Sequence, residues 1–192
     1  MEQDWGYNEG YKFLYCPWET IKYARYAFIS LNPGTPPDGA ELRTISDERG
    51  NSYVIEQAYT RSPITKQFLL LCGLIGIAPE HMLTGVAAPF RTPKWLNKRD
   101  KKMIPIGIEF WSEVFECQSL EVVFCLGRDA ENVIVTARNA TLEHEISSGW
   151  GAYKIRRYVD SKGCVIIGLL HLSTFKMLSR DQCVKQIQYL LS

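Results

Sequence analysis

The sequence predicts an α/β fold, a three-layer sandwich with a central, mostly parallel four-stranded sheet flanked by helices. Three observations point to it. Short apolar runs recur at 26–31, 81–90, 120–126 and 165–170, with the residue types of buried strands. Helix-like segments separate them, the alternation that builds an open parallel sheet. At 192 residues the chain has room for one core of ordinary size, so residues 1–192 are expected to form a single domain.

Taken in order, Tyr26–Leu31 is a short strand that runs into Asn32-Pro33-Gly34, a turn sequence. Residues 36–53 are rich in Pro, Gly, Asp and Ser and read as a long irregular connection, a length that is uncommon in loops without a function. Ser62-Pro63 is a helix start signal, and Phe68, Leu69, Leu71 and Cys72 supply the apolar content of a helix reaching Leu74. His81–Phe90 reads as a second strand entering a Pro-containing loop, followed by a basic segment and a helix near 106–117. Leu120–Leu126, then Gly127, then a helix over 128–138 form a strand–glycine–helix unit. Val165–Leu170 is a fourth strand ending at His171, and an amphipathic helix runs from Arg180 to Leu191. Within 139–164, Tyr153–Val159 reads as a hairpin or edge strand. Asn32, Pro89, Gly127 and His171 therefore all follow strands, and in a parallel sheet those ends share the edge where α/β proteins place ligands.

The apolar fraction of 46% against 22% charged argues against any long disordered stretch. Residues 1–5 lack the basic and apolar regions of a signal peptide, and no apolar run is long enough to cross a bilayer, so a cytoplasmic or nucleoid-associated protein is expected. The six cysteines are widely spaced with no CxxC pair, which predicts buried reduced thiols and gives no metal signal. A net charge of +1 neither demands nor excludes nucleic acid, because phosphate contact depends on local clustering. One cluster spans Arg91, Lys94, Lys98, Arg99, Lys101 and Lys102, either a phosphate-binding segment or a solvated face.

Two residues at the expected ligand edge have useful chemistry. The Asn32 carbonyl oxygen can orient a water while Pro33 and Gly34 fix its turn. His171 can donate to an oxygen on which negative charge develops.

Phe28-Ile29-Ser30-Leu31-Asn32-Pro33-Gly34 resembles the first motif, GxNPG, of the uracil-DNA glycosylase superfamily, in particular its mismatch-specific and single-strand-selective branches. His171-Leu172-Ser173-Thr174-Phe175 resembles the second motif of that superfamily. Ala88–Pro93 and Val122–Ala130 are similar to the intervening segments in the same order. The resemblance implies a monomeric, monofunctional DNA glycosylase needing no cofactor or metal, which turns a base out of DNA and hydrolyses its N-glycosidic bond. By position, Asn32 resembles the residue that places the hydrolytic water and His171 the one that stabilises the leaving base, the two expected on neighbouring strand ends. Leu31, Pro33 and Gly34 would shape the base pocket, Tyr53 (or Tyr59) would stack on the base, and Thr84 would hydrogen-bond it. Arg91, Lys94, Ser173 and Lys176 would contact phosphates, and Phe175 and Leu178 would wedge into the DNA. Ser30 and Leu172 replace the family's usual Gly and Pro, and Leu83–Ala88 lacks the Asn with which many members read uracil, so the expected substrate is a uracil-like base or another modified or mismatched base. A second reading keeps the fold without catalysis, as a nucleic-acid or nucleotide binding module.

Overall fold

A computed structural model describes residues 2–36, 39, 41–59 and 62–192; residues 37, 38 and 40 of the expected irregular connection lie outside that set. The first half forms β1 (Tyr11–Lys12), β2 (Tyr26–Ser30), β3 (Arg43–Thr44), α1 (Ser52–Gln57), α2 (Pro63–Ile75), β4 (Met82–Val86), α3 (Asn97–Asp100) and α4 (Ile104–Glu116). The second half adds β5 (Val122–Leu126), α5 (Arg128–Ala137), β6 (Thr141–Ser147), β7 (Lys154–Val159), β8 (Val165–Leu169) and α6 (Asp181–Leu191).

The main sheet has six strands in the order β4-β2-β5-β8-β7-β6 and is mixed, not the four-stranded sheet expected. Its first four strands are parallel neighbours. β7 runs antiparallel to β8, and β6 antiparallel to β7. Of this extra pair, β7 matches the hairpin or edge strand expected over Tyr153–Val159, whereas β6, Thr-Leu-Glu-His-Glu-Ile-Ser, is almost wholly exposed and has no apolar alternation to mark it as a strand. A separate two-stranded parallel sheet pairs β1 with β3, the latter inside the 36–53 stretch expected to be irregular.

Side chains alternate across the sheet, as a period of two requires. Ala27 and Ile29 of β2 join one apolar cluster with Trp111 of α4 and Val133 of α5, while Phe28 joins another with Phe68 of α2 and Ile187 of α6. Helices thus cover both faces. Phe28 is fully buried, and truncating it to Ala would cost about 3–5 kcal/mol through lost contacts and the cavity left behind.

Local signals set the element ends. Ser62 caps α2 by accepting from the Thr65 amide, Pro63 occupies the first helical position, and Gly76, at φ 71°, ends the helix in the left-handed region. Gly107 of α4 lies against the backbone of Ala87, where any Cβ would overlap the Ala87 carbonyl. That contact holds α4 under the loop that leaves β4. Trp111 adds to it by donating from Nε1 to the Val86 carbonyl at 2.8 Å.

Five of the six cysteines are buried as free thiols, and Cys117 is exposed. Among the described residues no helix is long and apolar enough to cross a membrane.

Candidate active site

β2, β4, β5 and β8 are parallel, so the loops after them emerge at one edge of the sheet. Asn32 follows β2, Gly127 follows β5 and His171 follows β8. β5 lies between β2 and β8, so Asn32 and His171 stand on next-but-one strands, not the neighbouring ones expected. Two interstrand spacings, about 10 Å, separate the strands β2 and β8 that lead to them.

Asn32 is half-buried and its amide nitrogen is saturated. Nδ2 donates to the Thr92 hydroxyl at 2.9 Å, to the Thr92 carbonyl at 3.2 Å and to the Pro33 carbonyl at 3.0 Å. With the nitrogen facing those acceptors, Oδ1 is left as the acceptor that the side chain presents. The loop after β4 is itself fixed to the loop after β2, through Ala88 N to Leu31 O at 2.8 Å and Thr92 N to Pro33 O at 3.2 Å. Leu31 and Pro33 therefore serve mainly through their carbonyls, and Gly34 is exposed at the tip.

His171 is partly buried, and burial lowers its pKa below the ordinary 6.5, favouring the neutral imidazole at neutral pH. Its Nδ1 lies 2.7 Å from the Ser173 hydroxyl. With Ser173 donating, the ring proton sits on Nε2, which makes that nitrogen a donor. Gly127 leaves room beside the ring: it adopts φ 85°, ψ 161°, a region essentially restricted to glycine, and its missing Cβ would contact His171 Cδ2 at 3.7 Å.

Several expected contacts are placed differently. Tyr53 is buried, stacked on Tyr15 at 5.5 Å and against Phe68 at 4.8 Å, so its ring faces are occupied by protein and not open to a base. Its hydroxyl is hydrogen-bonded by Ser30, and burial holds the phenol well above its usual pKa. Tyr59 is exposed at the surface. Thr84 is fully buried in the middle of β4, opposite Phe28, where its hydroxyl accepts from Asn51 Nδ2 at 3.3 Å, short of the sheet edge. Arg91 is also buried and donates to the Leu42 and Gly34 carbonyls, bracing the Asn32 loop instead of facing phosphate. Ser173 is exposed, and its hydroxyl is engaged with His171 Nδ1 at 2.7 Å. Leu178 packs in the core and cannot act as a wedge. Lys94 and Lys176 are exposed, and Phe175 is half-exposed.

Thr92 and Gln67 position the site without having been singled out for it, whereas Gly127 was expected at the ligand edge. Gln67, buried on α2, accepts from the Leu178 amide at 2.7 Å and donates to the Ser179 hydroxyl at 2.8 Å, anchoring the loop that begins at His171. The available signal was a polar residue next to Phe68 on the apolar side of the predicted helix. Cavities of about 540 Å3 and 250 Å3 lie elsewhere, the first beside Leu120 and Gly163, which precede β5 and β8 at the opposite edge of the sheet. Among the described residues no three His, Cys, Asp or Glu side chains converge to hold a metal.

No protein-family model matches the chain, and a search of curated proteins finds no match.

Proposed function

We propose that the chain is a monofunctional DNA glycosylase that hydrolyses the N-glycosidic bond of a base turned out of DNA. The observation that carries this reading is the orientation of Asn32. Its nitrogen is tied down by Thr92 and Pro33, so Oδ1 is left as the acceptor at the ligand edge, two strands from a His171 whose environment favours the neutral form. A water accepted by that oxygen can attack the anomeric carbon. His171 Nε2–H can meanwhile donate to the oxygen of the departing base as negative charge builds there. The two residues follow strands that end at the same edge of the sheet, which is the arrangement needed for sugar and base to be engaged together. The half-exposed Phe175 and the exposed Lys94 and Lys176 remain the candidates for DNA contact.

The burial of Tyr53 and Thr84 removes two contacts that would read the base, and favours a second reading in which the same edge binds a nucleotide without cleaving it. One experiment separates the two. DNA single strands and duplexes, each carrying one altered base such as uracil, hypoxanthine, xanthine or thymine opposite guanine, are incubated with the protein, and free base is detected directly. Release that is lost in Asn32→Ala and His171→Ala supports the glycosylase. Tight binding with no release from any substrate supports the binding module.

A further inference from the structure

The turn joining β6 to β7 lies at the same edge as the candidate site. β7 pairs antiparallel with β8, Arg156 opposite Gly168, so β7 begins at Lys154 beside the end of β8 from which His171 follows. The turn carries Trp150 and Tyr153, and both pack edge-on against Phe175 of the His171 loop, at 5.7 Å and 5.0 Å. The Arg180 guanidinium lies over the Trp150 ring, 3.6 Å from its centre.

This tip is rigid. Ser148 is fully buried, its amide donates to the Tyr153 carbonyl at 2.9 Å, and its hydroxyl accepts from the Trp150 amide at 3.1 Å. Gly149, at φ 73°, approaches the start of α6 so closely that a Cβ would sit 3.0 Å from the Gln182 backbone. Even so, Tyr153 leaves 53% of its surface exposed, an aromatic held in place but not used by the core.

Residues 146–155 and 170–180 contain no Asp or Glu and carry Lys154, Lys176 and Arg180; the flanking carboxylates are Glu145, which accepts from Arg156, and Asp181 at the start of α6. Exposed aromatic surface flanked by cations suits a polyanion that also offers flat faces. A single-stranded nucleic acid fits that description, whereas a duplex keeps its base faces stacked inside.

We propose that the β6–β7 turn and the 171–180 loop form a platform for single-stranded DNA, on which Tyr153 stacks against an unpaired base while Lys154 and Lys176 contact phosphates. That the stacked base neighbours the one held at Asn32 and His171 rests on the glycosylase reading; the platform itself does not.

The test uses the full chain and a labelled, unmodified oligothymidylate, with a duplex of equal length and polyglutamate as competitors, followed by fluorescence anisotropy. The wild type should prefer the single strand over the duplex. Tyr153→Ala should weaken single-strand binding roughly five- to a hundred-fold, Tyr153→Phe should keep it, and Lys176→Gln should lower the salt slope by roughly 0.7. Urea unfolding of each variant checks that the fold is intact. Equal affinity for single strand and duplex, unchanged binding in a folded Tyr153→Ala, or competition by polyglutamate as effective as by DNA would each overturn the platform. Tyr153-dependent binding with no base released from any substrate would leave the platform standing and defeat the glycosylase reading. Base release with binding indifferent to Tyr153 would do the reverse.

Discussion

Asn32 and Thr92 are joined twice, Nδ2 donating to both the hydroxyl and the carbonyl of Thr92, so the loop after β4 decides which way the side chain after β2 points. Removing the Thr92 hydroxyl as Thr92→Val should let the amide rotate and scatter the water it holds. Base release should then fall by about tenfold to a hundredfold, on the scale by which small misplacements penalise positioned groups. Asn32→Ala should fall further. In both variants DNA affinity, read by anisotropy, should stay near the wild-type value; a large loss of affinity would assign Asn32 to binding and not to chemistry.

His171 links pH to stability as well as to activity. The unfolded chain protonates it near 6.5, whereas burial postpones protonation in the folded protein to a lower pH. Between those two values the unfolded state binds more protons, so this residue's contribution is full above about 6.5 and is lost as pH falls toward the folded value, below which it levels off. Urea midpoints measured across that window should decline for the wild type and decline less for His171→Gln. Base release, if it needs a neutral ring, should fall off on the acid side with a midpoint below 6.5.

Gln67 should behave as a brace for the His171 loop. Gln67→Leu keeps the size of the side chain but leaves the Leu178 amide buried without its acceptor, at a cost of about 1–3 kcal/mol. Hydrogen exchange should show faster opening over 171–180 than elsewhere. Uniform protection across the variant would show that the loop is held by packing alone.

Arg91 and Lys94 stand three residues apart and should differ sharply. Lys94 is exposed, and Lys94→Ala should make DNA binding less salt-dependent by about 0.7 to 0.9 in the logarithmic slope if it touches one phosphate. Arg91→Ala should leave that slope alone and lower stability, because its guanidinium ties the Leu42 and Gly34 carbonyls together. Melting temperature and salt titration together tell the two roles apart.

The parallel strands were legible because each is a short apolar run with turn residues after it, and the cap at Ser62 is a local signal that tertiary structure had no reason to override. β6 was hidden by its polarity, since a strand exposed on an edge has no buried face to impose a pattern. The site divides in the same way. Asn32 and His171 could be read because each ends an apolar run. Exposure could not be read: Arg91 and Lys94 look alike in one basic stretch, yet only the fold shows that one is spent on backbone carbonyls. Tyr53 and Tyr59 were ambiguous for the same reason, as an aromatic ring suits a core and a binding face equally well, and here the first went to the core and the second to the surface.

The polar strand β6 has a consequence for how molecules of this protein meet one another. At the other end of the sheet, β4 is covered by residues 11–15, through Tyr15 N to Thr84 O, Val86 N to Phe13 O and Lys12 N to Pro89 O. β6 is left with a free row of backbone groups, the kind of edge on which a second sheet can template itself. It carries Glu143, His144 and Glu145, pairs its two carboxylates back to Arg157 and Arg156, and breaks register between Leu142 and His144. Charge and an irregular ladder together make it a poor template, so the edge that gave no signal as a strand is also the one that resists sheet-to-sheet aggregation.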